Sequence, residues 1–75
     1  MFTIHSKPTC PWCDKAKALL SMRGYPYEEI TYKTVEEIDN FKAKGFRQFP
    51  QIFDPQGKHI GGYEALEDHL DPDDF

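Results

Sequence analysis

Seventy-five residues with thirteen acidic and nine basic side chains carry a formal charge of −4 at pH 7. That length allows one small domain with a marginal core, and an acidic balance argues against nucleic acid, whose partners present a basic face. No run approaches the roughly twenty apolar residues of a membrane helix and residues 1–9 are too short and polar for a leader, so two cysteines here predict cytoplasmic thiols that cycle, not an extracellular framework.

Phe2 and Ile4 alternate with Thr3 and His5, the period of a half-buried strand. Residues 7–9 lead out of it as a loop, and Lys7 adds a positive charge three residues before the first cysteine. Cys10-Pro11-Trp12-Cys13 then opens a helix expected over 11–23. Pro11 suits the first helical position, where a missing N–H costs nothing and φ is already helical. Two thiols three residues apart at a helix start lie near one face, one turn apart. Cys10 falls at the N-cap edge, where unpaired N–H groups and the positive helix end favour a thiolate. Cys13 sits deeper, toward Ala16 and Leu20, and is expected to be less exposed. The pattern predicts an activated nucleophile, Cys10, with a second thiol behind it. Structural zinc wants four ligands, but the chain has no second cysteine pair and its histidines, His5, His59 and His69, are scattered. A purely structural bridge over so short a loop removes little unfolded-chain entropy. Redox exchange gives both thiols a task.

Ala16, Leu19 and Leu20 supply the buried stripe of this helix, with Lys15, Lys17 and Arg23 expected in water. Gly24 is the residue that stops it, and Pro26 prevents its resumption. Residues 27–32 read as a second strand, and strand–helix–strand order favours a parallel pair with a right-handed crossover. Thr34-Val35-Glu36-Glu37 has the form of a capping box. It opens a second helix with Val35, Ile38 and Phe41 inward, Lys42 and Lys44 in the last turn, and Gly45 at its end. After a loop over 46–49, residues 51–53 form a third strand with Pro50 at its start. Residues 54–57 make a turn, and 58–60 return as an antiparallel fourth strand. Gly61-Gly62 is expected to break that strand before a short helix over 63–70, with Tyr63, Leu66 and Leu70 inward.

Of the histidines, His5 is expected to be packed and His59 and His69 exposed. Phe2, Phe41, Phe46 and Phe53 are expected to furnish the core. The fold class is α/β, in the order β-α-β-α-β-β-α, with a four-stranded mixed sheet and three helices. One domain is expected over 1–70 and an acidic tail over 71–75. Asp71, Asp73 and Asp74 fall in that tail, which leaves ten acidic against nine basic residues before it.

Four stretches, in this order, resemble the glutaredoxins: Ser6-Lys7-Pro8-Thr9-Cys10-Pro11-Trp12-Cys13, Ala16-Lys17-Ala18-Leu19-Leu20, Phe49-Pro50-Gln51-Ile52-Phe53, and His59-Ile60-Gly61-Gly62-Tyr63. The resemblance spans nearly all of residues 2–70. It implies a thioredoxin-like fold and a glutathione-dependent thiol–disulfide oxidoreductase acting on protein disulfides and glutathione mixed disulfides. Cys10 matches the nucleophilic cysteine and Cys13 the resolving one. Pro50 matches the cis-proline facing the disulfide, which turns the Phe49 backbone toward glutathione. Lys7 matches the basic residue that meets a glutathione carboxylate. Gly62, Tyr63 and Glu64 match the loop and helix start that hold the γ-glutamyl end, where free N–H groups also make an anion site. Beside this, Trp12 reads as an aromatic wall on the substrate side. Arg47 and Gln48 read as candidates for a carboxylate clamp, Arg47 having the better fork. No bound cofactor and no metal are expected, since glutathione is a co-substrate. Expected partners are glutathione and disulfide-containing proteins, ribonucleotide reductase among them, and the chain is expected to be a monomer.

The chain departs from the family's pattern in places. Gln48-Phe49 stand where Thr-Val is common before the cis-proline, Glu64 stands for an aspartate, and Trp12 for a tyrosine. The Gly45-Phe46-Arg47-Gln48 run also resembles the glutaredoxin-like hydrogen donors of ribonucleotide reductase, which take electrons from thioredoxin reductase. Two other readings therefore stay open: that donor role, and a dimer sharing an iron–sulfur cluster through Cys10 and glutathione.

Overall fold

The strand at the centre of the sheet, β1 (Phe2–Ser6), has neighbours on both sides in the computed structural model, which describes residues 1–70. The tail expected over 71–75 lies outside the described residues. The remaining elements are α1 (Pro11–Met22), β2 (Tyr27–Thr31), α2 (Val35–Ala43), β3 (Gln51–Phe53), β4 (His59–Gly61) and α3 (Tyr63–Leu70). The strand order is β2-β1-β3-β4. β1 and β2 run parallel, with Ile4 opposite Glu29 and His5 opposite Ile30. β3 is antiparallel to both β1 and β4. The element order and mixed sheet are those the sequence predicts.

The alternation in β1 sorts side chains onto two faces. Phe2, Ile4 and Ser6 are buried on one, while Thr3 and His5 are half-buried on the other. On the first face Ala16, Leu19 and Leu20 of α1 and Leu66 of α3 close over Phe2, Ile4 and Ile52. Ile4, Leu20, Ile52 and Leu66 are completely enclosed, and each such side chain contributes roughly 1.5–3 kcal/mol by leaving water. Tyr63 and Leu70 pack against this core from α3. Of the four phenylalanines expected in the core, only Phe2 belongs to this cluster. Phe41, Phe46 and Phe53 gather on the other face instead, around His5. Strand register decides this, because Phe53 sits opposite Thr3 and Ile52 opposite Ile4.

The capping box of α2 is present: the Thr34 hydroxyl accepts from the Glu37 N–H at 3.1 Å, and Glu37 Oε1 accepts from the Thr34 N–H at 3.1 Å. The apolar face of that helix is narrower than expected. Phe41 is buried, but Val35 is 75% exposed. At about 100° per residue, six residues carry Val35 some 120° round the axis from Phe41.

The hairpin also differs. Lys58 belongs to the turn, its N–H donating to Asp54 Oδ1 at 2.8 Å and its carbonyl accepting from the Asp54 N–H at 2.9 Å. Gly61, expected to break β4, ends it as the partner of Ile52, beside a register shift. Its φ is +128°, and a Cβ there would lie 3.0 Å from Ala65 Cβ, so only glycine lets α3 start this close. Lys17, expected in water, is half-buried and bridges Glu29 at 2.9 Å and Asp14 at 3.4 Å. The same Glu29 oxygen accepts from the buried Ser6 hydroxyl at 2.7 Å. These two donors hold the Glu29 carboxyl below its usual range, Ser6 first and Lys17 second. The bridge ties β2 and the end of β1 to the first half of α1.

Candidate functional site

Cys10 is the N-cap of α1, with extended backbone, and Pro11 is the first helical residue. The Asp14 N–H donates to the Cys10 carbonyl at 3.1 Å and the Cys13 N–H points at Cys10 Sγ from 3.3 Å. A helix start thus delivers one of its free donors to the sulfur of its own cap. Cys10 and Cys13 form a disulfide across 5.3 Å between Cα atoms. Cys10 is 7% and Cys13 1% exposed, so both are buried and Cys10 is the one closer to solvent. Thr9, just before, stands at φ +54° with its hydroxyl donating to the Pro8 carbonyl at 2.6 Å. That conformation costs a β-branched residue about 1–3 kcal/mol, and nothing in the sequence announces it.

The loop before β3 comes to the same place. The Phe49–Pro50 bond is cis. The Phe49 carbonyl oxygen lies 3.9 Å from Cys10 Sγ. Pro50 is buried and Phe49 half-buried. Phe49 and Pro50 also line a cleft of about 440 Å³, whose walls do not include Cys10 or Cys13. Trp12 lines it from α1, Gln48, Phe49 and Pro50 from the loop, and Gly62, Tyr63 and Glu64 from the start of α3. These seven, far apart in the chain, are brought together on one cleft. Ala65 also lines the cleft and was not foreseen. Nothing about an alanine in a helix marks it, and only the close seating of α3 on Gly61 puts it there.

Trp12 is 48% exposed; its ring lies 5.5 Å from that of Tyr63 and takes the Lys15 ammonium 4.3 Å from its centroid. A cation over an indole face is attracted by the ring's quadrupole. Lys7 does not line the cleft. Its ammonium stands 5.8 Å from the centroid of the Phe49 ring. Arg47 is exposed and does not line the cleft either. Among the described residues no three His, Cys, Asp or Glu side chains gather as metal ligands, and no helix is long and apolar enough to cross a membrane.

Residues 2–60 match the family model Glutaredoxin. The chain belongs to the glutaredoxin family. Glutaredoxin 3 of Escherichia coli K12 is 38% identical over 65 residues, covering 84% of this chain and 77% of that protein. The hybrid peroxiredoxin hyPrx5 of Haemophilus influenzae is 43% identical over 69 residues, covering 91% of this chain but only 28% of its own length. The crystal structure of the buckwheat glutaredoxin–glutathione complex superposes with a TM-score of 0.70 at 28% identity, covering 95% of this chain and 69% of that one. The fold is that of the glutaredoxins, and the chain is a thiol–disulfide oxidoreductase with Cys10 and Cys13 as its redox pair.

Proposed function

We propose that this glutaredoxin takes its electrons from glutathione and reduces both protein disulfides and protein–glutathione mixed disulfides. The observation that carries the reading is the cleft beside the dithiol. It is lined by Phe49, whose carbonyl lies 3.9 Å from Cys10 Sγ, and by the first residues of α3. A bound cysteinyl peptide would pair with the Phe49 backbone as one added β rung, and its far carboxylate would meet the N–H groups at the start of α3. Trp12, Gln48 and Tyr63 wall that path, Glu64 meets an amino group, and Lys7 and Arg47 stand outside it as long-range cations. A relative of this fold has been solved with glutathione.

The Cys10 thiolate attacks one sulfur of the substrate disulfide, and the other sulfur leaves as a thiolate. The result is a mixed disulfide on Cys10. Cys13 then attacks Cys10 Sγ, expelling the substrate thiolate and closing the Cys10–Cys13 bridge. Two electrons have passed to the substrate. One glutathione opens the bridge to a Cys10–glutathione disulfide, and a second leaves with the first as glutathione disulfide. For a protein–glutathione mixed disulfide Cys10 alone completes the cycle. The N–H of Cys13 and the positive end of α1 favour the attacking thiolate.

Turnover with glutathione and glutathione reductase tests this on wild type, Cys10→Ser and Cys13→Ser. Cys10→Ser is expected to be inactive. Cys13→Ser is expected to keep deglutathionylation and lose reduction of protein disulfides, with ribonucleotide reductase as one protein substrate to try. A wild type that turns over only with thioredoxin reductase in place of glutathione overturns the electron source. A coloured dimer after anaerobic purification supports an iron–sulfur role instead. The same reading puts the chain in the cytoplasm, because the cycle needs a reducing thiol pool, and takes it as a monomer with one domain over 1–70.

A further inference from the structure

The redox pair is held from the α1 side of the sheet, but the backbone facing it is held from the other side. Residues 46–49 have no strand or helix of their own. Phe49 is held in large part by its ring, together with the Lys7 ammonium 5.8 Å from the ring centroid and a hydrogen bond from Gln51 to the neighbouring Gln48 carbonyl. That ring stacks on Phe41 at 5.1 Å between centroids and leans on Tyr32 at 5.7 Å. Tyr32 in turn lies 4.6 Å from Phe41 and shares a 2.8 Å hydrogen bond between its hydroxyl and Nδ1 of His5. His5 sits on β1, the central strand, paired on both sides. A rigid anchor is therefore linked through two rings to a loop residue whose carbonyl lies 3.9 Å from Cys10 Sγ.

We propose that Tyr32, tied to β1 through His5, is a positioning residue for disulfide exchange: it sets where the Phe49 carbonyl stands and so how well a cysteinyl backbone docks beside Cys10. The inference rests on the reading of Phe49 as a substrate rung. Tyr32 touches neither the dithiol nor the lining of the cleft except through Phe49. A ring hydroxyl bonded to an imidazole has one good orientation, whereas a phenylalanine there would keep the packing and lose the aim. Orientation matters because rungs of an added strand need their donors and acceptors in register, and small misplacements cost rate.

The test uses two disulfides that differ in backbone. One is the disulfide of N-acetylcysteine N-methylamide, which carries a cysteinyl amide on each side. The other is hydroxyethyl disulfide, which has none. Reduced protein is mixed with each in excess, and oxidation to the Cys10–Cys13 bridge is followed by the fluorescence of Trp12, the single tryptophan. Wild type is expected to prefer the amide-bearing disulfide. Tyr32→Phe is expected to slow that reaction about threefold, and Tyr32→Leu about tenfold, in line with the loss of one hydrogen bond and then of the ring contact. Both should stay within about twofold of wild type on hydroxyethyl disulfide, where no rung is made. His5→Phe combined with Tyr32→Phe should be no slower than Tyr32→Phe alone, since they break one link. If both substrates slow in equal proportion, or if neither slows, Tyr32 is structural only and the inference is overturned. If Tyr32→Leu does not fold, Tyr32→Phe decides alone. A wild type that treats the two disulfides alike overturns the rung itself, and the inference with it. A wild type with the preference whose variants keep it overturns the inference only.

Discussion

The two faces of the sheet are built from different materials. Under α1 and α3 the buried contacts are mostly aliphatic, with Ile4, Leu20, Ile52 and Leu66 fully enclosed and Phe2 the one ring of the buried cluster. Under α2 they are rings: His5, Phe41, Phe46, Phe49 and Phe53, with Tyr32 and His59 at the margin. Only Phe41 of these is fully buried. The first face holds the helix that presents Cys10 and Cys13. The second holds the loop that presents Phe49. The site lies where the two meet. A close-packed aliphatic face supplies stability and a fixed thiol pair, and a half-exposed aromatic face with polar handles supplies orientation that can be adjusted.

Truncation at the heart of the first face should separate these roles most sharply. Leu20→Ala is expected to lower unfolding free energy by about 2–5 kcal/mol, the range for a buried leucine in a packed core. Urea titration would read it. The substrate preference of the folded fraction should stay as in wild type, and a changed preference would show that the two faces are not separable. A smaller effect is expected from the cap of the helix that carries Phe41. Thr34→Ala removes the hydroxyl that accepts from the Glu37 N–H, which costs about 1 kcal/mol. Its midpoint in urea should fall accordingly. Equal stability with and without the hydroxyl would mean that ring packing alone holds α2.

The smallest effect is the response to pH, and here the faces differ in range. His5 is held below its ordinary value of 6.5, first by burial and then by the nearby charge of Lys44. The other groups facing it are neutral: the Tyr32 hydroxyl and the rings of Phe41 and Phe53. The unfolded chain therefore takes up a proton at His5 before the folded one does. Stability from the aromatic face should be complete above about pH 7 and decline as pH falls through 6.5 toward the lowered folded value. Glu29, on the first face, is held below 4.5 by the Ser6 hydroxyl and Lys17. Its share persists above that value and is lost only as pH falls further, through the folded value. Urea midpoints across pH 2 to 8 should show an upper step that His5→Phe removes and a lower one that Glu29→Gln diminishes. An upper step that survives His5→Phe would place it on another group.

Much of the site was legible because its determinants are local. A cysteine before proline at a helix start becomes an N-cap, and Cys10 is one. Thr34 and Glu37 are three residues apart, so their box closes without help from the rest of the chain. Five residues of the cleft, Phe49, Pro50, Gly62, Tyr63 and Glu64, are read from motif likeness, and Trp12 and Gln48 from residue type; the fold places all seven on one cleft. Lys7 is read from motif likeness and Arg47 from its planar, charged fork, yet neither lines the cleft. Long cationic side chains sit where loops leave them, and loop direction is not written in residue type. Val35 was assigned inward by a three-residue spacing that drifts round the axis, and Lys17 was assigned to water although Glu29 waited across a strand.

Taken alone, the order of residues determined the punctuation of this protein: where helices start and stop, which proline precedes a strand, and which thiol caps α1. Those outcomes depend on groups within one turn of each other, and short-range sterics and hydrogen bonding settle them. Only the tertiary structure decided which face of the sheet received the rings, and that Tyr32, His5 and Phe49 share a cluster behind the redox pair. Strand register and helix seating join segments tens of residues apart, and a one-residue shift would exchange the two faces.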